Sequence, residues 1–317
     1  MIGIDVSRAT LAVACWDAFR QEVAWVCELP NSAEGLAQLV ARTAPGECWA
    51  LEPTGRYSEL VVRTAWAYGR RPLLTPPKAA RKFLSSLNLR AKNDRLDATG
   101  IARYAAVVPL RSFVLKDEAR EELSQLLVLR KSISGNLTTF RQQAQALPRV
   151  RDEFTPVIKA LQERLGAVDR QLAARARQQP AVKQLQAVPG IGLVSASALA
   201  LRLQTMHFVT YHAFVAYLGL DLRVSDSGQH RGRRRLSRHG DAELRRLLYC
   251  CAQASVRAKA SPFRMQYERE LAKGLPTTGA LCAVARKMAK VAWALVKSGQ
   301  QYDPERVYRS RLVDRKP

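Results

Sequence analysis

The sequence predicts an α/β domain followed by a largely helical chain, and three observations carry that expectation. Strand-like and helix-like runs alternate at the start, a heptad-spaced apolar seam fills the middle, and helical periodicity dominates from Ala181 onward. Ile2–Val6 reads as a strand, with further strands over residues 11–16 and 23–29. Asn31 and Ser32 offer an N-cap to a helix over residues 33–41. Cys48–Leu51 is the next strand, ended by Pro53, Thr54 and Gly55; a helix over 57–68 and a strand over 72–74 follow. Three neighbouring strands and then helix–strand alternation predict a mixed sheet of the ribonuclease-H kind rather than a doubly wound one.

In the middle, Leu123, Leu126, Arg130, Ile133, Leu137, Phe140, Ala144 and Leu147 recur alternately three and four apart. After Pro148 and Pro156 the pattern resumes at Ile158, Leu161, Leu165, Val168 and Leu172. The spacing predicts two helices folded into a hairpin, the first of roughly 25 residues and about 37 Å long. An antiparallel coiled-coil arm or dimerisation strut and a pair of ordinary bundle helices are both open. Further on, Val188-Pro189-Gly190-Ile191-Gly192 followed by Ser195 to Leu199 resembles the turn of a helix-hairpin-helix unit. There Gly190 and Gly192 would let backbone N–H groups approach a phosphate at a helix start, and a plain tight turn is the alternative. Helices are expected over 213–220, 242–260 and 279–297. The domains expected are therefore 1–112, 113–180 and 181–317.

Composition narrows the function. Fifty-one Lys and Arg against 27 Asp and Glu leave a formal charge of +24 on 317 residues, and residues 221–317 hold 22 of those cations against 9 acids. Such a surplus repels itself in a folded chain and points to a polyanionic partner, bound with strong salt dependence. No apolar run of about 18 residues appears, and the N-terminus lacks a secretory signal. The six cysteines (Cys15, Cys27, Cys48, Cys250, Cys251, Cys282) form no C-x-x-C pair, and the four histidines do not group with them. A zinc site is not expected, and a reduced cytoplasm is.

Four carboxylates stand out. Asp5 lies in an apolar strand, where a charge is costly without compensation. Glu52 ends a later strand, and Asp94 and Asp97, three apart, would share a face at the start of a helix. Together they form a candidate Mg2+ set for phosphodiester chemistry. Singly, each has a plainer reading as a strand end, a helix cap or a solvated first turn. The second constellation is the loop around Ser227-Gly228, with Arg223, Arg231, Arg233, Arg234, Arg235 and Arg238. Those arginines, and Lys92 beside Asp94, are candidate nucleic-acid contacts. Ser227 is either a nucleophile or part of a phosphate-binding loop, with Ser225 and Ser237 as rivals.

The segments Ile2-Gly3-Ile4-Asp5, Leu51-Glu52-Pro53-Thr54-Gly55-Arg56-Tyr57 and Lys92-Asn93-Asp94-Arg95-Leu96-Asp97-Ala98 resemble the DEDD transposases of the insertion-sequence 110 family. So do Val188-Pro189-Gly190-Ile191-Gly192, Tyr217-Leu218-Gly219-Leu220, Ser227-Gly228 and Leu236-Ser237-Arg238-His239-Gly240, in order along the chain. The resemblance implies a RuvC-like domain, a coiled-coil arm and a C-terminal transposase domain. It implies that Asp5, Glu52, Asp94 and Asp97 bind metal and that Ser227 forms a phosphoserine link to DNA. It further implies donor and target DNA, a structured guide RNA and a homodimer or homotetramer in which one subunit's acids meet another's serine. A RuvC-like nuclease or junction resolvase without a covalent intermediate, and a non-catalytic nucleic-acid scaffold, are the alternatives. A prokaryotic, nucleoid-associated location is expected.

Overall fold

Apolar and small residues alternate along the first strands, and that alternation gives the sheet two different faces. The computed structural model describes residues 1–317 apart from 53–54, 87–93, 115–116, 224–225, 228–229, 232–234, 259–260 and 310–317. β1 (Ile2–Val6) pairs antiparallel with β2 (Thr10–Asp17), and β2 with β3 (Glu22–Pro30). On its other side β1 runs parallel to β4 (Cys48–Leu51), and β4 parallel to β5 (Arg71–Leu74). Antiparallel β6 (Arg111–Ser112) completes a six-stranded mixed sheet in the order β3-β2-β1-β4-β5-β6. The mixed α/β class expected from the sequence is therefore the class observed.

One face carries Ile2, Ile4, Leu11, Val13, Trp49 and Leu51, all fully buried. It packs against Leu36 and Leu39 of α1 (Ala33–Arg42) and Val61 and Val62 of α2 (Glu59–Ala67). Ser32 caps α1 by accepting from the Gly35 N–H at 3.4 Å, as its position suggested. The other face is lined by Gly3, Ala12, Ala14 and Ala50, small enough for a helix to lie almost on the backbone. That helix is α4 (Asp94–Val107), flanked by α3 (Pro77–Ser86), whose Phe83 meets Tyr104 edge-on at 5.6 Å.

The chain divides into two compact units, Met1–Leu115 with Thr205–His207, and Lys116–Gln204 with Phe208–Pro317. The second unit opens with α5 (Glu118–Ala146), a single 3-10 turn at Pro148–Val150, and α6 (Arg151–Ala176). At 1.5 Å per residue, the 29 residues of α5 span about 43 Å. Arg130 pairs with Asp169 at 2.6 Å, Arg175 with Glu122 at 2.8 Å, and Phe140 with Phe154 at 6.1 Å. Positions rise on one helix as they fall on the other, so the pair is an antiparallel hairpin. Pro156 lies inside α6 rather than ending it. As the sixth residue of α6 it removes the N–H that would otherwise bond the Asp152 carbonyl.

Beyond the hairpin come α7 (Pro180–Gln186), α8 (Leu193–Thr205) and α9 (Tyr211–Tyr217), then two short ladders. β7 (Leu222–Arg223) pairs with β10 (Arg235–Leu236), and between them β8 (Asp226–Ser227) pairs with β9 (His230–Arg231). α10 (Ala242–Ser255), α11 (Pro262–Ala272), α12 (Thr277–Ser298) and α13 (Arg306–Arg309) complete the unit. α12 is its axis: Val284, Ala285, Met288, Ala289 and Ala292 are wholly buried, with α7, α9, α10 and α11 packed around them. Among the described residues, no helix is long and apolar enough to cross a membrane.

Candidate active site

Gly3 decides where the acids meet. A Cβ built on Gly3 would lie 2.2 Å from the Ala98 carbonyl oxygen and 2.5 Å from the Ala102 nitrogen, distances that no side chain tolerates. Only glycine allows α4 to press onto β1. Asp5 lies two residues along the same strand face, and Asp97 directly precedes Ala98. The close approach therefore carries the first turn of α4, with Asp94 and Asp97, toward Asp5. Glu52 arrives by register: Ile4 pairs with Leu51 across the parallel β1–β4 ladder, so the next residues along, Asp5 and Glu52, are neighbours.

Electrostatics report the same gathering. Burial pushes the Asp5 pKa above the ordinary carboxylate value; Asp94 and Asp97 raise it further, and a hydrogen bond from the Val6 N–H opposes them. Burial also raises Glu52, and Asp5 and Asp97 add to the shift while Arg81 of α3 works against it. Like charges crowded into partly buried positions disfavour ionisation, and a cation relieves that. Among the described residues, no three His, Cys, Asp or Glu side chains already converge tightly enough to hold one ion. The donors are nonetheless of the right chemistry for a hard cation, being carboxylate oxygens with negative charge in excess. The sequence did not reveal Arg81 or the small-residue face of Gly3, Ala12, Ala98 and Ala102. The signal available for that face was its run of Gly and Ala in both strand and helix.

Ser227 sits in the second unit. Its backbone pairs with His230 in the β8–β9 ladder, which the β7–β10 ladder supports by pairing Arg223 with Arg235. Arg231 lies in β9, whereas Lys92, Arg233, Arg234, Ser225 and Gly228 lie outside the described residues. Ser237, a rival serine, donates its hydroxyl to the Asp221 carboxylate.

The foot of this loop is held tightly. A Cβ on Gly240 would meet the Tyr217 carbonyl oxygen at 2.0 Å, and one on Gly219, at φ 65°, would meet the Arg238 carbonyl carbon at 2.8 Å. The Arg238 N–H donates to Gly219 at 3.1 Å and that of Asp241 to Tyr217 at 2.9 Å, so two of the sequence motifs are stitched together. Arg238 itself holds φ at 54°, a left-handed conformation uncommon for arginine.

In the 188–192 turn the two glycines differ. Gly190, at φ 88°, lies against α10, where a Cβ would meet the Cys251 carbonyl at 2.5 Å and the Ser255 nitrogen at 2.7 Å. Packing alone accounts for it. Gly192 has nothing within 4 Å of a Cβ. Burial pushes the nearby Cys251 thiol up, with Ser195 and the Gly192 backbone working against it.

Comparison with known proteins matches two family models, described as "Transposase" of the DEDD IS110 type over residues 2–149 and "Transposase IS116/IS110/IS902 family" over 182–268. The chain is 33% identical over 155 residues to a "Probable family 20 transposase" of Pseudomonas aeruginosa, covering 48% of this chain and 46% of that relative. It is 23% identical over 339 residues to the "Transposase for insertion sequence element IS1328" of Yersinia enterocolitica, covering 94% of this chain and 97% of the relative. A "Pilin gene-inverting protein" of Moraxella bovis is 23% identical over 316 residues, with 95% and 97% covered. The two matched regions contain the four acids and Ser227 respectively, and the chain belongs to the IS110 family of insertion-sequence transposases.

Proposed function

We propose that this transposase cuts and rejoins the DNA of its own insertion sequence through a phosphoserine link at Ser227, with Mg2+ held by Asp5, Glu52, Asp94 and Asp97. The observation that carries the reading is the convergence of sequence-distant acids on Asp5: Asp94 and Asp97 through the Gly3 contact with α4, and Glu52 through the β1–β4 register. Supporting it, the sheet runs as an antiparallel meander extended by two parallel strands, the layout expected of a RuvC-like domain over 1–112. The hairpin then serves as the coiled-coil arm over 113–180, and 181–317 as the transposase domain. Relatives from Moraxella bovis and Moraxella lacunata are both named for inverting a pilin gene, which fits a reaction that cuts and rejoins strands.

The chemistry balances without an outside energy source. The Ser227 hydroxyl attacks the scissile phosphorus and gives up its proton to a base. The bond from phosphorus to the departing sugar oxygen breaks, and that oxygen takes up a proton. A free hydroxyl of the second strand then attacks the phosphoserine and restores serine. Bound Mg2+ would supply Lewis-acid stabilisation of charge developing on the phosphoryl oxygens. Arg223, Arg231, Arg233, Arg234, Arg235 and Arg238 would hold the phosphate, and Lys92 would add a backbone contact beside the acids.

Because the acids and Ser227 belong to separate units, a composite site assembled between subunits of a dimer or tetramer is the natural arrangement. A structured RNA from the element's flanks would pair with donor and target DNA, leaving the protein to hold backbone and shape. The +24 surplus supports a second nucleic-acid partner.

Covalent trapping tests the proposal. Protein with its co-purified RNA, Mg2+ and nicked element-end DNA should yield a denaturation-resistant adduct that Ser227→Ala abolishes and Asp94→Asn reduces at least about 100-fold. Cutting that persists in Ser227→Ala with no adduct would overturn the serine step and leave a water-using nuclease.

A further inference from the structure

α12 presents two faces. One fills the core, and the other runs through Gly279, Ala283, Arg286, Lys290 and Ala294 along the floor of a cleft of about 1250 Å³. Spacings of three and four keep those residues on one helical stripe. The small ones open the space and the cations project along it. α9 adds Tyr211 and His212 to the wall, the β10 strand and its extension add Arg235 and Arg238, and residues 300–307 border the other side.

Charge is the first guide to the occupant. The acids on the cleft wall are already engaged, Glu270 by Lys273 at 3.0 Å and Asp303 by Arg306 at 3.4 Å. Arg235, Arg238, Arg286 and Lys290 have no carboxylate partner among the described residues. The cleft is therefore built for a polyanion, and it exceeds the about 300–1,000 Å³ of ordinary small-molecule pockets.

Stacking is the second guide. The Lys290 ammonium lies 4.6 Å from the Tyr211 ring centroid, and the Tyr211 and His212 rings stack with centroids 3.9 Å apart, tilted by 32°. His212 is exposed, so this short column ends in a ring open to another. Paired bases hide their faces inside a duplex, whereas unpaired bases offer them to aromatic side chains.

We infer that this cleft holds an unpaired stretch of nucleic acid, with a base stacked on His212 and phosphates on Arg286, Lys290, Arg235 and Arg238. Leu222 and Arg235, at the foot of the loop bearing Ser227, also line the cleft, so a bound strand is directed toward that loop. The inference rests on the chain's handling of DNA strands and not on a covalent role for Ser227.

Fluorescence anisotropy with the full-length protein tests it, using single-stranded DNA, single-stranded RNA and duplex DNA of one sequence. His212→Ala should weaken single-strand binding about ten-fold, as loss of one base stack predicts, and leave duplex binding unchanged. The double variant Arg286→Gln/Lys290→Gln should also lower the salt dependence of single-strand binding by about 1–2 in slope. Whether DNA, RNA or both lose affinity names the strand. The assay reads binding without any covalent step, so a failed adduct assay leaves this result standing. Equal losses on single strands and duplex, or unchanged affinity in both cleft variants with their melting temperatures intact, would overturn the inference.

Discussion

The acid-bearing sheet and the serine-bearing loop hold their candidate site residues in opposite ways. Asp5 and Glu52 sit on or beside the central strands of a six-stranded sheet, where register sets their spacing and α4 bears down through Gly3. Ser227 sits in a two-residue ladder whose foot is clamped by Gly219, Gly240 and the left-handed Arg238. In the sheet, packing is ample and the strain is electrostatic. In the loop, the sequence is rich in arginine and the strain is in the backbone, at the left-handed Arg238. Under the proposed function, the acids would take a cation and the serine loop a polyanion.

The sharpest way to break the comparison is Gly3→Val. With no room for a Cβ against Ala98 and Ala102, α4 must move off β1, at a cost of about 3 kcal/mol or more, the upper range of overpacking. Thermal melting should show the loss, and unaltered stability would mean that Gly3 does not fix the acids. The counterpart in the helical unit is Gly190→Ala, set against Gly192→Ala. The first meets α10 at a positive φ and should cost about 2–3 kcal/mol; the second has open space and should stay within about 0.5 kcal/mol. If Gly192→Ala nevertheless weakens DNA binding, the turn contacts phosphate as well as packing.

Much of this was legible in the sequence, for identifiable reasons. β1 to β4, α1, α2 and the arm announce themselves because their apolar periodicity is strong and their caps, such as Ser32, are ordinary. α11 was missed because part of the face it buries is polar: Gln266 and Glu270 are both buried, bonded to each other. α3 was missed because basic residues interrupt its pattern, and β6 to β10 are two-residue strands that leave no periodicity to read. The four acids could be chosen from their strand and helix positions. Their meeting place could not, because it depends on a glycine-to-backbone contact across 95 residues of chain, from Gly3 to Ala98.

The α5–α6 hairpin bears on a smaller point. Arg130 occupies a seam position where an apolar residue would be usual, and its bonds to Asp169 at 2.6 and 3.3 Å explain how the hairpin accepts it. Both side chains are partly exposed, so Arg130→Ala should cost only about 1 kcal/mol. Arg130→Leu should be close to neutral if the seam prefers apolar packing, and chemical denaturation of the two variants separates charge from packing.

The smallest expected shift is the most telling about the acids. Folded Asp5 and Glu52 have pKa values raised above their unfolded ones, so ionising them works against the fold. Their contribution to stability is complete below about pH 4, the ordinary carboxylate range, and is lost as pH rises through the raised values. Asp5→Asn should therefore raise the melting temperature slightly at pH 7 without divalent ions, and the gain should vanish toward pH 4. Adding Mg2+ should reverse the ranking, stabilising the unaltered protein through its carboxylates and leaving Asp5→Asn behind. A Mg2+-independent melting temperature in the unaltered protein would mean that the repulsion around Asp5 is not there to be relieved by a cation.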